Sequence, residues 1–327
     1  MPVTIQEIRF GIEIETVGRS RLEVAKAIQS VVGGEVMHIS NTGNFDPYQV
    51  TDASGNTWQI VSDGSLTNVP AHLRAEIVSP ILTYNEIPLL QQVVRAVRHI
   101  GSKCDERCGI HIHLSSPQVT PKALANLAKT IYKQEELIYA ALGVTPARMA
   151  RYCKPMNPAF IERITRSTPK TFETLNRQWY GQYNANPRRY DSSRYAILNL
   201  NAYFLRGALE IRAYAGSLHA GKVKAAIQFS MALFAKALNT QAASTKKRKY
   251  DPASAKYDFR VFLISSLKMN GDEFKSARAH LLELMPGDCS FKYGRPVSKN
   301  DKNKKTEEMT EVAENTETEA ETLQSSL

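Results

Sequence analysis

The chain has no apolar run that approaches the ~20 residues needed to cross a bilayer, so no membrane-spanning helix is expected. Its opening residues, Met1-Pro2-Val3-Thr4-Ile5-Gln6-Glu7, are polar and acidic, unlike the basic and then apolar pattern of a secretory signal. A cytoplasmic protein is therefore expected. Cysteine is scarce. The four present (Cys104, Cys108, Cys153 and Cys289) fit free thiols in a reducing compartment. Cys104-x3-Cys108 has no second cysteine pair at ligand spacing, which argues against a structural zinc. There is no internal repeat, so no repeat architecture is expected.

What is present suits a large folded body. The 327 residues, 43% of them hydrophobic, are enough for one large domain or two modest ones with a sizeable core. Net charge is +10, unevenly spread. Residues 298–327 hold four Lys against eight Asp/Glu, so they carry −4 and the preceding body +14. A basic body attracts nucleic acid, but equally nucleotides, acidic peptides and anionic metabolites.

Strand and helix patterns alternate along the chain. Ser20-Arg21-Leu22-Glu23 is a capping box opening a helix that stops at Gly33-Gly34. His38 to Thr57 reads as a loop or irregular hairpin, rich in Asn, Gly, Asp and Pro. Trp58–Val61 and Arg74–Pro80 read as strands. Asn85 is the expected cap of a helix with Pro88 in its first turn. Cys108–Leu114 is a strand, and Thr120-Pro121 starts a long helix ending at Gly143. Thr168-Pro169 is expected to open another helix. An Arg/Tyr-rich loop spans Gln182 to Tyr195, then strands are expected at Tyr195–Leu200 and Ala208–Tyr214. Helices follow at about Lys222–Leu238, Tyr257–Lys268 and Asp272–Leu284, with the basic connector Thr245–Lys249 among them. The strands alternate apolar and polar residues, whereas a parallel doubly wound sheet favours continuously apolar strands. An α+β fold is expected, its antiparallel sheet carrying helices on one face and an active-site cleft on the other. Residues 1–240 would form the catalytic domain, 241–297 a helical extension and 298–327 a disordered acidic tail.

The polar strand faces carry the chemistry. In Phe10-Gly11-Ile12-Glu13-Ile14-Glu15, period-two alternation puts Glu13 and Glu15 on one side and the apolar residues on the other. By the same rule Arg74 and Glu76 share a face, as do Gly109, His111 and His113, and Glu210, Arg212 and Tyr214. If these strands share a sheet, four carboxylates, two imidazoles and two guanidinium groups converge. Clustered carboxylates repel and raise one another's pKa, and a divalent cation offsets that repulsion. Oxygen ligands with one or two imidazoles suit Mg²⁺ or Mn²⁺, while the His-x-His pair suits zinc. Singly, each motif is ordinary: Glu-x-Glu is common on solvated strands, Glu-x-Arg is usually a surface pair, and Asp63-Gly64-Ser65 is usually only a turn. Their joint occurrence, each on a strand with an apolar back, favours a functional cluster.

The ordered set Phe-Gly-Ile-Glu-Ile-Glu, Asp-Gly-Ser-Leu, Glu-Ile-Val-Ser-Pro, Cys-Gly-Ile-His-Ile-His and Leu-Glu-Ile-Arg resembles the amidoligases. These are relatives of glutamine synthetase and gamma-glutamylcysteine ligase in the carboxylate–amine ligase superfamily. The resemblance runs from about Arg9 to about Leu238. It implies a glutamine-synthetase-like antiparallel sheet holding metal-bound ATP, with ATP joining a carboxylate to an amine through an acyl phosphate. It also implies Glu13, Glu15, Glu76, His111 and Glu210 as metal ligands, and Glu13, Glu210 and Arg212 as the catalytic set. His113, Arg212, Arg74 and Ser65 would contact the nucleotide, with Asp63 in a less defined supporting role. The acid and amine could be small molecules, peptides or protein side chains. Relatives of glutamine synthetase build rings with shared sites, so a homo-oligomer is compatible, although nothing in the sequence demands one.

Two other classes compete. A zinc-dependent hydrolase or cupin-like enzyme would use His111 and His113, but the cupin pattern wants a Glu four or five residues later, where Pro117 and Gln118 stand. A non-enzymatic nucleic-acid-binding module would use the basic body. It lacks a familiar fingerprint, and aromatic–basic interleaving is confined to Trp179 through Tyr195, a loop that could equally clamp an acidic substrate, which is the favoured reading.

Overall fold

The computed structural model describes residues 1–39 and 46–296. The chain opens with β1 (Arg9–Val17) and α1 (Arg21–Val32). A meander follows: β2 (Glu35–His38), β3 (Tyr48–Thr51), β4 (Thr57–Val61) and β5 (Arg74–Val78). Then come α2 (Ile87–His99), β6 (Gly109–Ser115) and the long α3 (Pro121–Leu142). The short helices α4 (Pro146–Arg151), α5 (Pro158–Arg166) and α6 (Phe172–Tyr180) lead to β7 (Leu198–Asn199) and α7 (Asn201–Arg206). β8 (Leu209–Ala215), α8 (Ala220–Asn239), α9 (Ala255–Val261) and α10 (Lys275–Leu282) complete the described elements.

The fold is α+β, with eight strands in one sheet of order β2-β3-β4-β5-β1-β6-β8-β7. All its pairings are antiparallel. β1 lies at the centre, between β5 and β6, so the Glu-x-Glu segment has chemistry-bearing strands on both sides. Helices cover the other face, where α1 packs on α2, α2 on α8 and α8 on α3. Phe10, Ile12, Ile14, Ile77, Ile112 and Ile211 form the sheet's contribution to the core, each 2% exposed or less. Truncating one of these to Ala would cost about 2–5 kcal/mol.

Local signals placed several elements correctly. Ser20 caps α1 in a reciprocal box with Glu23, and Thr120 Oγ1 accepts from Ala123 N–H at 3.1 Å to start α3. Gly143 ends α3 in the left-handed region at φ 61°. Of the two readings of the 38–57 stretch the hairpin holds: β3 lies within it and pairs antiparallel with β2 and β4, and Val50 is fully buried between Val36 and Trp58; residues 40–45 fall outside the described set. Elsewhere the structure differs. The box before α2 is Thr83 with Glu86, not Asn85, because a 3-10 turn precedes the helix. Thr171, three residues beyond Thr168-Pro169, caps α6. The expected strand at 195–200 shrinks to Leu198–Asn199 behind a 3-10 turn. The helix expected at 257–268 begins at Ala255 and passes into a π-helical segment at Phe262–Ser266. α9 and α10 share the main apolar core with α3 and α8. The acidic residues 298–327 lie outside the described residues. Among the described residues no helix is long and apolar enough to cross a membrane.

Candidate active site

Strand pairing brings the polar faces together. Glu13 is the register partner of His111 on β6, Glu15 that of Glu76 on β5, and His113 that of Glu210 on β8. His111 Nδ1 lies 3.1 Å from Glu13 Oε2 and 3.6 Å from Glu210 Oε1, while its Nε2 lies 3.9 Å from Glu15 Oε1. One imidazole therefore stands between two donor groups, Glu13–His111–Glu210 and Glu15–His111–Glu76. Within each group the ligand atoms lie within 4.8 Å of one another. The sheet floor opens into a cavity of about 820 Å³, lined by Glu13, Glu15, Glu76, His111, Glu210 and Arg212 among others.

The electrostatics of the floor are divided. Burial pushes the Glu15 carboxyl up to about 8, helped by Asp63 and only partly opposed by the Gly109 N–H. Burial, reinforced by Glu13, Asp63, Glu15 and Glu210, holds Glu76 well above the usual carboxylate range. Glu13 goes the other way. Burial opposes its ionisation, but the imidazoles of His111 and His113 outweigh it and hold Glu13 well below the usual range. Glu210, also buried, is lowered by Arg212, His111 and His113. Burial and Arg212 lower His111. For His113, burial is outweighed by the Glu13 and Glu210 carboxylates, and its pKa is raised. The surroundings thus favour the protonated form of Glu15 and Glu76, whose protons a cation could displace, and the ionised form of Glu13 and Glu210.

Several residues fall elsewhere than expected. Arg74 does not line the cavity. It sits where β5 begins, and its guanidinium donates to the Val69 carbonyl at 2.6 Å and the Thr67 carbonyl at 3.0 Å, tying down the preceding loop. Tyr214 is on the core face, its hydroxyl 2.6 Å from Ser230 Oγ on α8. The reason is a bulge. Ile110 pairs with Tyr214 but Ile112 with Ile211, so β8 has one extra residue and period-two parity breaks after Arg212. His113 sits behind Glu13 rather than on the cavity wall. Its Nε2 is 3.0 Å from Glu13 Oε1 but out of line for a hydrogen bond. Asp63 and Ser65 do line the cavity, with the Ser65 N–H donating to Asp63 Oδ1. Arg212 lines it too, paired through Nη1 with Glu210 and donating from Nε to the Tyr152 carbonyl at 3.3 Å.

Other lining residues carried no sequence signal strong enough to find them. Arg148, from α4, is buried and donates to the carbonyls of Cys108 at 2.9 Å and Tyr214 at 3.1 Å, joining the start of β6 to the end of β8. Asn199 Nδ2 donates to Glu210 Oε2 at 2.5 Å. Gly109 has a steric role, because a Cβ there would lie 3.0 Å from Arg148 Nη2 and 3.3 Å from His111 Nε2. Arg189, Tyr190, Arg194 and Arg206 complete an arginine-rich rim of the same cavity.

Residues 6–234 match the model of a family described as "Putative amidoligase enzyme", which spans the sheet and most of α8. The chain belongs to this amidoligase family. No curated protein matches it. The match takes in every acidic and imidazole residue of the floor and ends before α9 and α10. For this amidoligase, the donor set fits a hard divalent cation. It offers carboxylate oxygens and one shared imidazole, burial and neighbouring carboxylates raise the pKa of Glu15 and Glu76, and His113 stands outside both donor groups.

Proposed function

We propose that this amidoligase is an ATP-dependent carboxylate–amine ligase, forming an amide or isopeptide bond on an amino acid, peptide or protein side chain. The observation that supports it most is the pair of donor groups sharing His111 beneath an arginine rim, within a chain of the amidoligase family. In this reading the sheet is glutamine-synthetase-like and the 820 Å³ cavity is the active-site cleft. Residues 1–240 are the catalytic domain, buttressed by 241–297. Glu13, Glu15, Glu76, His111 and Glu210 hold Mg²⁺ or Mn²⁺, which when bound neutralises phosphate charge. A cytoplasmic supply of ATP and the free cysteines accord with it.

The chemistry asks the protein for position and charge. A carboxylate is a poor electrophile. Its oxygen attacks the terminal phosphorus of ATP, releasing ADP and leaving an acyl phosphate. The amine nitrogen then attacks the acyl carbon, the C–O bond to phosphate breaks, and the amine's proton passes to a nearby base. Arg212, buried and lining the cavity, would face the transferring phosphoryl group, with Glu210 and the Tyr152 carbonyl fixing its guanidinium plane. Ser65 would donate to the nucleotide from the Asp63 turn. Arg74 would act only by holding the 67–69 loop, and His113 only by orienting Glu13.

The test is an ADP-release assay over panels of acids and amines. Turnover is expected only with ATP, a divalent cation, an acid and an amine together. Glu13→Ala and Glu210→Ala should each abolish it while the circular dichroism spectrum stays that of the parent. Full activity in both variants, or product formation without ATP, would end this reading.

A further inference from the structure

The rim of the cavity holds charge that the floor chemistry does not use. Arg189, Arg194 and Arg206 line the mouth, and none has an acidic partner among the described residues. Two of them converge on one ring, with the Arg189 guanidinium 5.7 Å and that of Arg194 5.5 Å from the Tyr190 centroid. Tyr190 is itself 68% exposed. Tyr183, seven residues earlier in the same loop, is also exposed, with the Arg177 guanidinium 5.8 Å from its ring centroid.

This ledge is held in place. Asn176 and Asn184 exchange hydrogen bonds, Asn176 Nδ2 to the Asn184 carbonyl at 3.0 Å and Asn184 N–H to Asn176 Oδ1 at 2.8 Å. Trp179 Nε1 donates to Ser193 Oγ at 3.0 Å, and Asn201 Nδ2 to the Arg188 carbonyl at 3.0 Å. Arg194 Nη1 donates to the Arg189 carbonyl at 3.1 Å. A loop pinned at this many points pays little ordering entropy when it binds.

Its chemistry selects a partner. Residues 172–206 contain five Arg and no Lys. Arginine rather than lysine matches planar, bidentate capture of carboxylate, and its stacking on Tyr adds apolar contact. A free amino acid confined to the cavity would leave Tyr183 and the outer face of Tyr190 in water. A chain that enters from outside would cover them.

We propose that the ledge of Arg189, Tyr190, Arg194 and Tyr183 docks an acidic polypeptide, so that the carboxylate partner is a side chain or terminus of a peptide rather than a free amino acid. This inference rests on the ligase reading for its carboxylate, but it is tested by binding alone.

The experiment is fluorescence anisotropy of the full-length protein with a short fluorescein-labelled peptide of alternating Glu and Ala, without ATP. Saturable binding is expected, weakened about tenfold or more by Arg189→Ala with Arg194→Ala and several-fold by Tyr190→Ala, as arginine and tyrosine hot spots behave. Arg166→Ala, at an exposed ion pair on α5 that does not line the cavity, should bind as the parent. Unchanged melting temperatures in the rim variants separate loss of docking from loss of fold, and Arg→Lys at both positions should recover only part of the affinity. Three results overturn the proposal: no peptide binding, free glutamate competing as well as the peptide, or a single-stranded oligonucleotide binding more tightly than the peptide. Peptide binding with no ADP release under any condition would sink the ligase reading and leave the docking site standing. ADP release on free acids without peptide binding would do the reverse.

Discussion

The backbone N–H of Gly109 donates to Glu15 Oε2 at 2.7 Å, so the first residue of β6 holds a carboxylate of β1 from the neighbouring strand. Glycine leaves room for this contact. A methyl group at 109 would crowd Arg148 Nη2 at 3.0 Å and His111 Nε2 at 3.3 Å, with Glu15 Oε2 in ordinary contact at 3.5 Å. Gly109→Ala should therefore lower divalent-cation affinity about tenfold or more, in line with the loss of an outer-shell partner. Isothermal titration with Mg²⁺ or Mn²⁺ checks it, and parent-like affinity would show that this approach is not needed.

Arg148 should matter for stability more than its position on a short helix suggests. Replacing it with Met leaves the Cys108 and Tyr214 carbonyls without their charged donor. A loss of about 3 kcal/mol is expected, the scale of buried hydrogen bonds to a charged group, measured by urea unfolding. A loss of only a few tenths would mean that water replaces the guanidinium freely.

Glu15 should make the metal-free protein less stable as pH rises. Burial and Asp63 push its folded pKa up to about 8, against an ordinary value of 4.5. Between those values the folded chain keeps a proton that the unfolded chain has lost, so this group's contribution to stability falls as pH increases through that window. Melting temperatures from pH 5 to about 9 should therefore decline more steeply in the parent than in Glu15→Gln. Added Mg²⁺ should raise the parent's melting temperature most at the alkaline end, where the cation no longer competes with the proton. Equal slopes in parent and variant would remove the assignment.

The bulge on β8 predicts opposite outcomes for two residues that simple alternation puts on one face. Tyr214→Phe removes the contact with Ser230 in the core. It should cost about 1 kcal/mol of stability and leave kcat/KM unchanged. Arg212→Ala, on the cavity side, should abolish turnover. Comparable kinetic loss in both would mean that Tyr214 reaches the site after all.

Much of the floor was legible in the chain because strand parity is strictly local. Glu13, Glu15, Glu76, His111 and Glu210 could be assigned to polar faces from their neighbours alone, since Ile or Ala stands on each opposite face. Parity failed where a backbone irregularity intervened. Tyr214 follows a bulge that leaves no mark in the residue pattern. Arg74 does share the Glu76 face, as alternation predicts, but it begins its strand, and the carbonyls of a preceding turn take its guanidinium. Arg148 and Asn199 were out of reach because they come from α4 and the two-residue β7, neither of which has a periodic pattern, whereas the Arg/Tyr-rich loop was visible in composition and only its place beside the floor was not. Likewise Val50 was hidden in a stretch whose Asn, Gly and Asp residues signal turns, although it is fully buried.

The amino-acid order by itself determined the alternating strands, the capped helices and the acidic and imidazole groups that face away from the core, because these depend on residues a few positions apart. Only the tertiary structure decided that β1 lies between β5 and β6, that His111 stands between two carboxylate groups, and that the arginine loop lines the same cavity as they do. Those relations join residues up to about two hundred positions apart. They depend on how strands pair and where a bulge shifts the register, which local periodicity does not encode.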